Sequence, residues 1–300
     1  FTIISDGHYY SEGCHVMAYY IAVGGGSVYK VTTAGALTTL SLPTGITIDS
    51  TRPARMAILD EKVVIVNAPN RSIWIDRIGT IRPLGLTAPA SPVVVSNTGA
   101  GTLSGTFKAR YTFRVYDTET LELLLESPMS PLSNADTLAS ERLLATGVGI
   151  SPDNLTGLVR GLYRTVTGGS AIVFPWAELS GNTATAYSDD ISDAALSLVP
   201  APDELGNPPG SQVGTYMTLI AEWKGFLWGV GSEDPDTLRR SASGLIYAWP
   251  AAGTFDIEPV RFDQYGITGL ISRRDEFGIC KRNIIWKMVG SNPDDFELVK

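Results

Sequence analysis

The sequence is short of the residues that metal sites, disulfide scaffolds and histidine-dependent catalysis require. It has two cysteines, Cys14 and Cys280, and two histidines, His8 and His15, in 300 residues. A disulfide-stapled secreted domain carries more cysteines at regular spacings, so two buried thiols in a chain that folds in a reducing cytosol is the expectation. Charged residues make up 18% and no apolar run approaches the ~18 residues of a membrane helix, so membrane insertion is not expected. Basic charge is also scarce: 23 Lys and Arg against 31 Asp and Glu give a net charge of −8, contrary to what a phosphate-neutralising nucleic-acid binder needs. The deficit is uneven, with net +1 over residues 1–100, −5 over 101–200 and −4 over 201–300.

What remains is ample for a packed β protein. Hydrophobic residues are 44%, and 31 glycines and 18 prolines punctuate short apolar runs. Val63-Val64-Ile65-Val66, the turn formers Asn67–Asn70 and Ile73-Trp74-Ile75 read as a hairpin. The pattern recurs at Leu219–Ala221 with Phe226–Val230, at Phe277–Cys280 with Ile284–Met288, and more weakly at Ser27–Val31. Tyr29 and Trp74 are 45 residues apart, and Ile220 and Ile267 are 47 apart. Four-stranded propeller blades repeat every ~40–50 residues, so these aromatic-centred hairpins predict blades; evenly spaced hairpins of a β-sandwich are the alternative.

Prolines 89 and 92 open, and prolines 200, 202, 208 and 209 close, a stretch of a different kind. Residues 89–202 have the length of one β-sandwich. Tyr111, Phe113 and Val115 alternate with polar residues as in a half-buried strand, Leu121–Glu126 continues the meander, and Leu158–Thr165 is a further strand. Helix is confined to pieces such as Ser192 to Leu198. The expected fold is thus all-β: propeller blades over 1–88, an inserted sandwich over 89–202 and further blades over 203–300.

Several short motifs carry a family resemblance. Tyr111-Thr112-Phe113 and Glu126-Ser127-Pro128-Met129-Ser130-Pro131 resemble the strand and ESxPSP-type turn of fibronectin-type-III-like domains in phage structural proteins. Tyr163-Arg164-Thr165, Gly168-Gly169 and Tyr187–Asp190 with Leu196 resemble their later strands. Leu227–Gly231, Leu238–Ser241, Trp249-Pro250 and Ile267–Leu270 are similar to the blade motif of the tail nozzle (tail tubular B-type) proteins of short-tailed bacteriophages. The resemblance spans roughly residues 20–300 and implies a virion tail protein, made in the host bacterial cytoplasm. It implies six copies in a ring below portal and adaptor proteins, with tail fibres or spikes attached outside. DNA would leave through a central channel that does not bind it. The insert leaves room for only about four blades, and the chain opens on Phe1 and ends on strand-like Phe296–Lys300, so a longer parent protein is expected.

No residue set predicts catalysis, a cofactor or a metal. Asp6, His8, Glu12, Cys14 and His15 cluster, yet no second ligand pair follows, so a polar turn is expected over a zinc site. Asp189-Asp190 with Asp193, Glu233-Asp234 with Asp236, and Asp294-Asp295 could supply a glycosidase pair or calcium ligands, but each sits among turn formers. Gly24-Gly25-Gly26-Ser27 lacks the lysine and helix of a phosphate-binding loop. Trp74, Trp223, Trp228, Trp249 and Trp286 could line a sugar groove, although their spacing favours packing. Arg239-Arg240 and Arg273-Arg274 suit either inter-subunit ion pairs or solvated turns. A propeller-type glycan-binding or glycan-hydrolysing protein is the competing function.

Overall fold

A computed structural model describes residues 2–4, 19–76, 78–153, 155–196, 208, 216–250, 253–257 and 266–299. Among these the protein is all-β, with antiparallel sheets and one 3-10 turn. The chain divides into two compact units, Phe1–Leu84 with Pro208–Lys300, and Gly85–Asn207.

The first unit contains four four-stranded sheets, each a meander whose strands lie in sequence order. The first meander is β1 (Thr2–Ile4), β2 (Tyr19–Gly24), β3 (Ser27–Thr32) and β4 (Leu37–Leu40). The second is β5 (Arg55–Leu59), β6 (Lys62–Val66), β7 (Ile73–Ile75) and β8 (Ile81–Pro83). Three of the hairpin turns in this unit put both central residues at positive φ, the geometry that matches strand twist: Gly25-Gly26, Asp60-Glu61 and Lys224-Gly225. Ile21, Val23 and Val28 of the first meander share one core with Ile65, Ile73, Ile75 and Ile81 of the second, joined by Ile46, Ile48 and Ala54 from the connection.

The second unit supplies β9 (Val94–Phe107), β10 (Ala109–Tyr116), β11 (Leu123–Glu126), β12 (Asp136–Thr146), β13 (Leu158–Arg164), β14 (Phe174–Ser180) and β15 (Ala186–Asp189). They form a sheet of order β11-β10-β13-β14 and another of order β15-β12-β9. Pairing places Ala109, Tyr111, Phe113 and Val115 beside Arg164, Leu162, Arg160 and Leu158 on one face. That face turns toward the other sheet, because the Arg164 guanidinium lies 5.2 Å from the Phe107 ring centre.

Two devices depart from a regular ladder in this unit. Glu126–Pro131 is not a turn; from Ser127 to Ser133 the chain runs along β10 in steps of three residues. Tyr111, Phe113 and Ala109 donate their N–H groups to the hydroxyls of Ser130, Ser127 and Ser133, at 3.1, 2.9 and 2.8 Å. Each serine N–H returns a bond to the carbonyl of the same β10 residue. Each hydroxyl also donates to the carbonyl of the next residue, so three residues of Ser-Pro-x keep pace with two of the strand. The prolines fit because a seam that bonds only through every third amide never needs their missing N–H. Ser130→Ala leaves the Tyr111 N–H buried without an acceptor and is expected to destabilise by about 1–3 kcal/mol, read as a lower urea midpoint with unchanged slope.

The second device is a bent ribbon. β9 and β12 pair from Val94 opposite Thr146 to Phe107 opposite Asp136. Yet Asn134, just before β12, bonds both the N–H and the carbonyl of Val95 at 2.9 Å. A straight strand would hold Val95 about 40 Å from Phe107, so the ribbon folds back on itself. The bend lies at bulges flanking Glu141, with Ser140 at φ 61°. Gly101 permits it: a Cβ there would stand 2.6 Å from the Glu141 carbonyl carbon.

The chain then re-enters the first unit. The third meander is β16 (Met217–Trp223), β17 (Phe226–Gly231), β18 (Thr237–Arg240) and β19 (Thr254–Asp256). The fourth is β20 (Gly269–Ser272), β21 (Phe277–Cys280), β22 (Ile285–Val289) and β23 (Glu297–Val299). Leu219, Trp223, Trp228, Val230 and Leu238 of the third pack on Phe277, Ile279 and Met288 of the fourth. β16 also runs beside β5 and β20, which sets the opening strands of three meanders side by side. The expected helix from Ser192 shrinks to a 3-10 turn at Asp193–Ala195, with Leu196 extended and no cap from the Ser192 side chain. Residues 197 and 198 lie outside the described residues.

Candidate functional site

The sequence candidates do not converge. Asp6, His8, Glu12, Cys14 and His15 lie outside the described residues. Among the described residues, no three His, Cys, Asp or Glu side chains come together to hold a metal.

Of the clustered carboxylates, Asp189, Asp193, Asp234, Asp236 and Asp295 serve the fold, while Asp190 is half-buried and Glu233 and Asp294 are exposed. Asp189 accepts from the Trp176 indole at 2.8 Å and from the Tyr187 hydroxyl at 2.5 Å, which stands over Trp176 edge-on. Burial and this carboxylate push the Tyr187 hydroxyl up to about 12, so it stays protonated at neutral pH. Asp193 accepts from Arg164 at 2.8 Å and from the backbone and hydroxyl of Thr167. Burial pushes the Asp193 carboxyl up, but the Thr167 and Arg164 bonds outweigh it and hold the group below the ordinary range. A depressed carboxylate stabilises above its unfolded pKa and loses that contribution as pH falls through the folded one. Asp193→Asn is therefore expected to flatten the acid limb of a stability–pH curve below about pH 4; an unchanged limb would contradict this. Asp236 pairs with Lys281, and Asp295 closes its turn by accepting from the N–H groups of Ser291 and Asn292.

Four of the five candidate tryptophans are equally committed, and Trp286 is half-buried against the core shared by the third and fourth meanders. Trp74, Trp223, Trp228 and Trp249 are buried, so none of these four presents a ring for a sugar to stack on. Trp223 stacks on Phe277 with centroids 5.6 Å apart, and its indole N–H donates to the Arg273 carbonyl at 2.8 Å. Arg240 lies 5.0 Å over the Phe226 ring, while Arg273 and Arg274 are exposed in the β20–β21 turn. Gly24–Ser27 is the hairpin between β2 and β3.

Sequence reading missed a concentrated polar group among the described residues, on the face of β10, β11, β13 and β14 opposite Tyr111, Phe113 and Val115. Glu126 Oε1 accepts from Thr112 Oγ1 at 2.8 Å, Arg114 Nε at 2.8 Å and Tyr163 OH at 2.6 Å. Arg114 also bonds the Tyr163 hydroxyl and reaches Glu178 at 2.5 Å, where Tyr116 joins at 2.7 Å. Burial lowers the affinity of Arg114 for its proton, but Glu126 and Tyr163 reverse that, so the guanidinium is held firmly charged. Burial and Glu126 raise Tyr163, and burial and Glu178 push Tyr116 up to about 12. Neither phenol ionises near neutral pH, which removes them as bases. The cluster fixes side chains on a sheet face; Glu178, 46% exposed, is its solvent edge. The only advance signal was the alternation of Thr112, Arg114 and Tyr116 along one strand.

No helix among the described residues is long and apolar enough to cross a membrane. Compared with known proteins, the chain matches no protein-family model and no curated sequence.

Proposed function

We propose that this chain is a structural component of a short-tailed phage tail, part of a nozzle ring through which DNA is ejected. In this reading the four meanders are β-propeller blades, and Gly85–Asn207 is an inserted sandwich of the fibronectin-III-like kind. The observation that carries it is the pairing of two features: sequential four-stranded meanders interrupted by a separate β unit, and opening strands β5, β16 and β20 side by side. Adjacent blades place their inner strands in that way around an axis. Copies of the chain would form the ring, six by the family resemblance, with portal and adaptor proteins above and fibres or spikes outside.

The mechanism is mechanical and electrostatic. A rigid wall with a net charge of −8 per copy repels the phosphate backbone, so DNA slides past without sticking. Two measurements test the reading. Light scattering should give the mass of a multi-subunit ring, alone or after adding portal–adaptor complexes. Duplex DNA should show no binding in ~0.15 M salt. A permanent monomer, or tight salt-sensitive DNA binding, would overturn it. The glycan reading draws less support, because among the described residues Trp74, Trp223, Trp228 and Trp249 are buried and Asp189 is held by Trp176 and Tyr187.

A further inference from the structure

Two arginines, Arg160 and Arg164, lie on the face of β13 that turns toward the other sheet of the second unit, and both are 0% exposed. The fold provides for them unequally. Arg164 donates to Asp193 at 2.8 Å, to the Thr165 carbonyl at 2.9 Å and to the Ile191 carbonyl at 2.5 Å, so a carboxylate stands beside its charge. Arg160 donates from Nη1 to the Ala184 carbonyl. Its Nε and Nη2 are buried and find no acceptor in the protein, and among the described residues no carboxylate pairs with it. Its cross-strand neighbours are apolar, Phe113 on β10 and Leu179 on β14.

Burial lowers the hold of Arg160 on its proton, yet a guanidinium keeps its charge at any pH the protein meets. A buried cation without a counter-ion is among the most costly groups a fold can contain. Nε and Nη2 also lie on one edge of the guanidinium plane. Their N–H groups are parallel donors, the fork that grips an anion from the side.

The surroundings of that fork are polar and close to solvent. Tyr111 is the diagonal neighbour of Arg160 on the same face, because Phe113 stands opposite Arg160 and Tyr111 opposite Leu162. The Tyr111 hydroxyl meets the backbone of Gly149, where a Cβ would stand 2.4 Å away. The next residue back, Val148, donates its N–H to the Thr185 carbonyl at 3.0 Å, and Thr185 adjoins the Ala184 that accepts from Arg160. These bonds gather the phenol and the guanidinium under two loops, residues 147–151 and 181–185. Ser151 and Asn182 tie the same loops again, at 2.7 and 2.8 Å. The cover is thin: Gly147, Ala184 and Thr185 are exposed, whereas Arg160 beneath them is not.

We infer that Arg160 holds a small monovalent anion, of the chloride or formate class, beneath these loops, with Nε and Nη2 gripping it and the Tyr111 hydroxyl beside it. The anion does for Arg160 what Asp193 does for Arg164, and it ties both loops to β13. One negative charge balances one guanidinium, whereas a divalent anion would bring a surplus charge into the interior. The inference concerns the second unit alone and stands or falls independently of the nozzle reading.

Hydrogen exchange of the β10 and β13 amides in the full chain tests it, because it reports the stability of this unit. Ionic strength is held at ~0.15 M while chloride or formate replaces the bulky anion gluconate, so that screening stays fixed. Once the anion exceeds its dissociation constant, each tenfold increase should raise wild-type protection about tenfold. Arg160→Met removes the buried charge and keeps an apolar side chain of similar length, so it should fold and its protection should not respond to the anion. Wild-type crystals grown in bromide should show an anomalous peak within hydrogen-bond reach of Arg160 Nε and Nη2, a readout that needs no variant. Wild-type protection unmoved by chloride and formate, a response that survives Arg160→Met, or bromide absent from Arg160 would each overturn the inference.

Discussion

Trp228→Ala is expected to destabilise the first unit by about 3–5 kcal/mol, the range for removing a fully buried tryptophan. Trp228 is fully buried and lies between the third and fourth meanders, with ring centroids 5.4 Å from Phe277, 5.7 Å from Phe296 and 5.6 Å from Phe255. Its indole N–H donates to the Trp223 carbonyl at 3.2 Å. Alanine removes those contacts and leaves a cavity that the neighbouring rings, Phe255 and Phe277 being held in strands, cannot refill. Trp228→Phe keeps part of the area and should recover part of the loss. Hydrogen exchange should show protection falling across β16 to β23 while β10 and β13 in the second unit are unaffected. A loss below about 1 kcal/mol would mean that the two meanders are not held by this aromatic core.

Breaking the ion pair between the same two meanders should be asymmetric. Lys281 follows β21, and its ammonium donates to Asp236 Oδ1 at 2.6 Å and to the Ile257 carbonyl at 2.9 Å. The Lys281 side chain is fully buried, whereas Asp236 retains 37% exposure. Asp236→Ala strands a buried cation with one neutral acceptor and should cost about 3–5 kcal/mol. Lys281→Met leaves a carboxylate that water can reach, so the loss should be nearer about 1–2 kcal/mol, chiefly from the unpaired Ile257 carbonyl. Denaturant midpoints of the two variants and of their double mutant check the order. Equal losses, or a larger loss for Lys281→Met, would contradict the burial argument.

Local patterns were legible in the sequence and distant pairings were not. The hairpins β6–β7, β16–β17 and β21–β22 could be read because apolar runs and turn formers lie within a dozen residues of each other. Ser127–Ser133 was misread because Ser and Pro usually mark turns; only the structure shows the hydroxyls serving as strand acceptors. The bent ribbon escaped notice since residues 97–106 are mostly Ser, Thr and Gly, with little apolar alternation to betray a strand. The Asp193-Ala194-Ala195 run suggested helix, but Asp193 is taken by Arg164 and Thr167. Lys281 and Asp236 are 45 residues apart, and Arg114 meets Glu178 across three strands, so neither pair leaves a local trace. The outcome for the candidate residues follows from the same physics. Trp74, Trp223, Trp228 and Trp249, which could have served a sugar site, are instead covered by the fold, and Asp189, Asp193 and Asp236 are taken by donors within it.

Cryo-electron microscopy of the purified protein mixed with portal–adaptor complexes of a short-tailed phage tests the account most directly. A nozzle component should form a β-rich ring below the adaptor, its channel continuous with the portal and lined by opening strands of successive meanders. Particles that remain isolated, or that attach at the periphery without enclosing a channel, would contradict it.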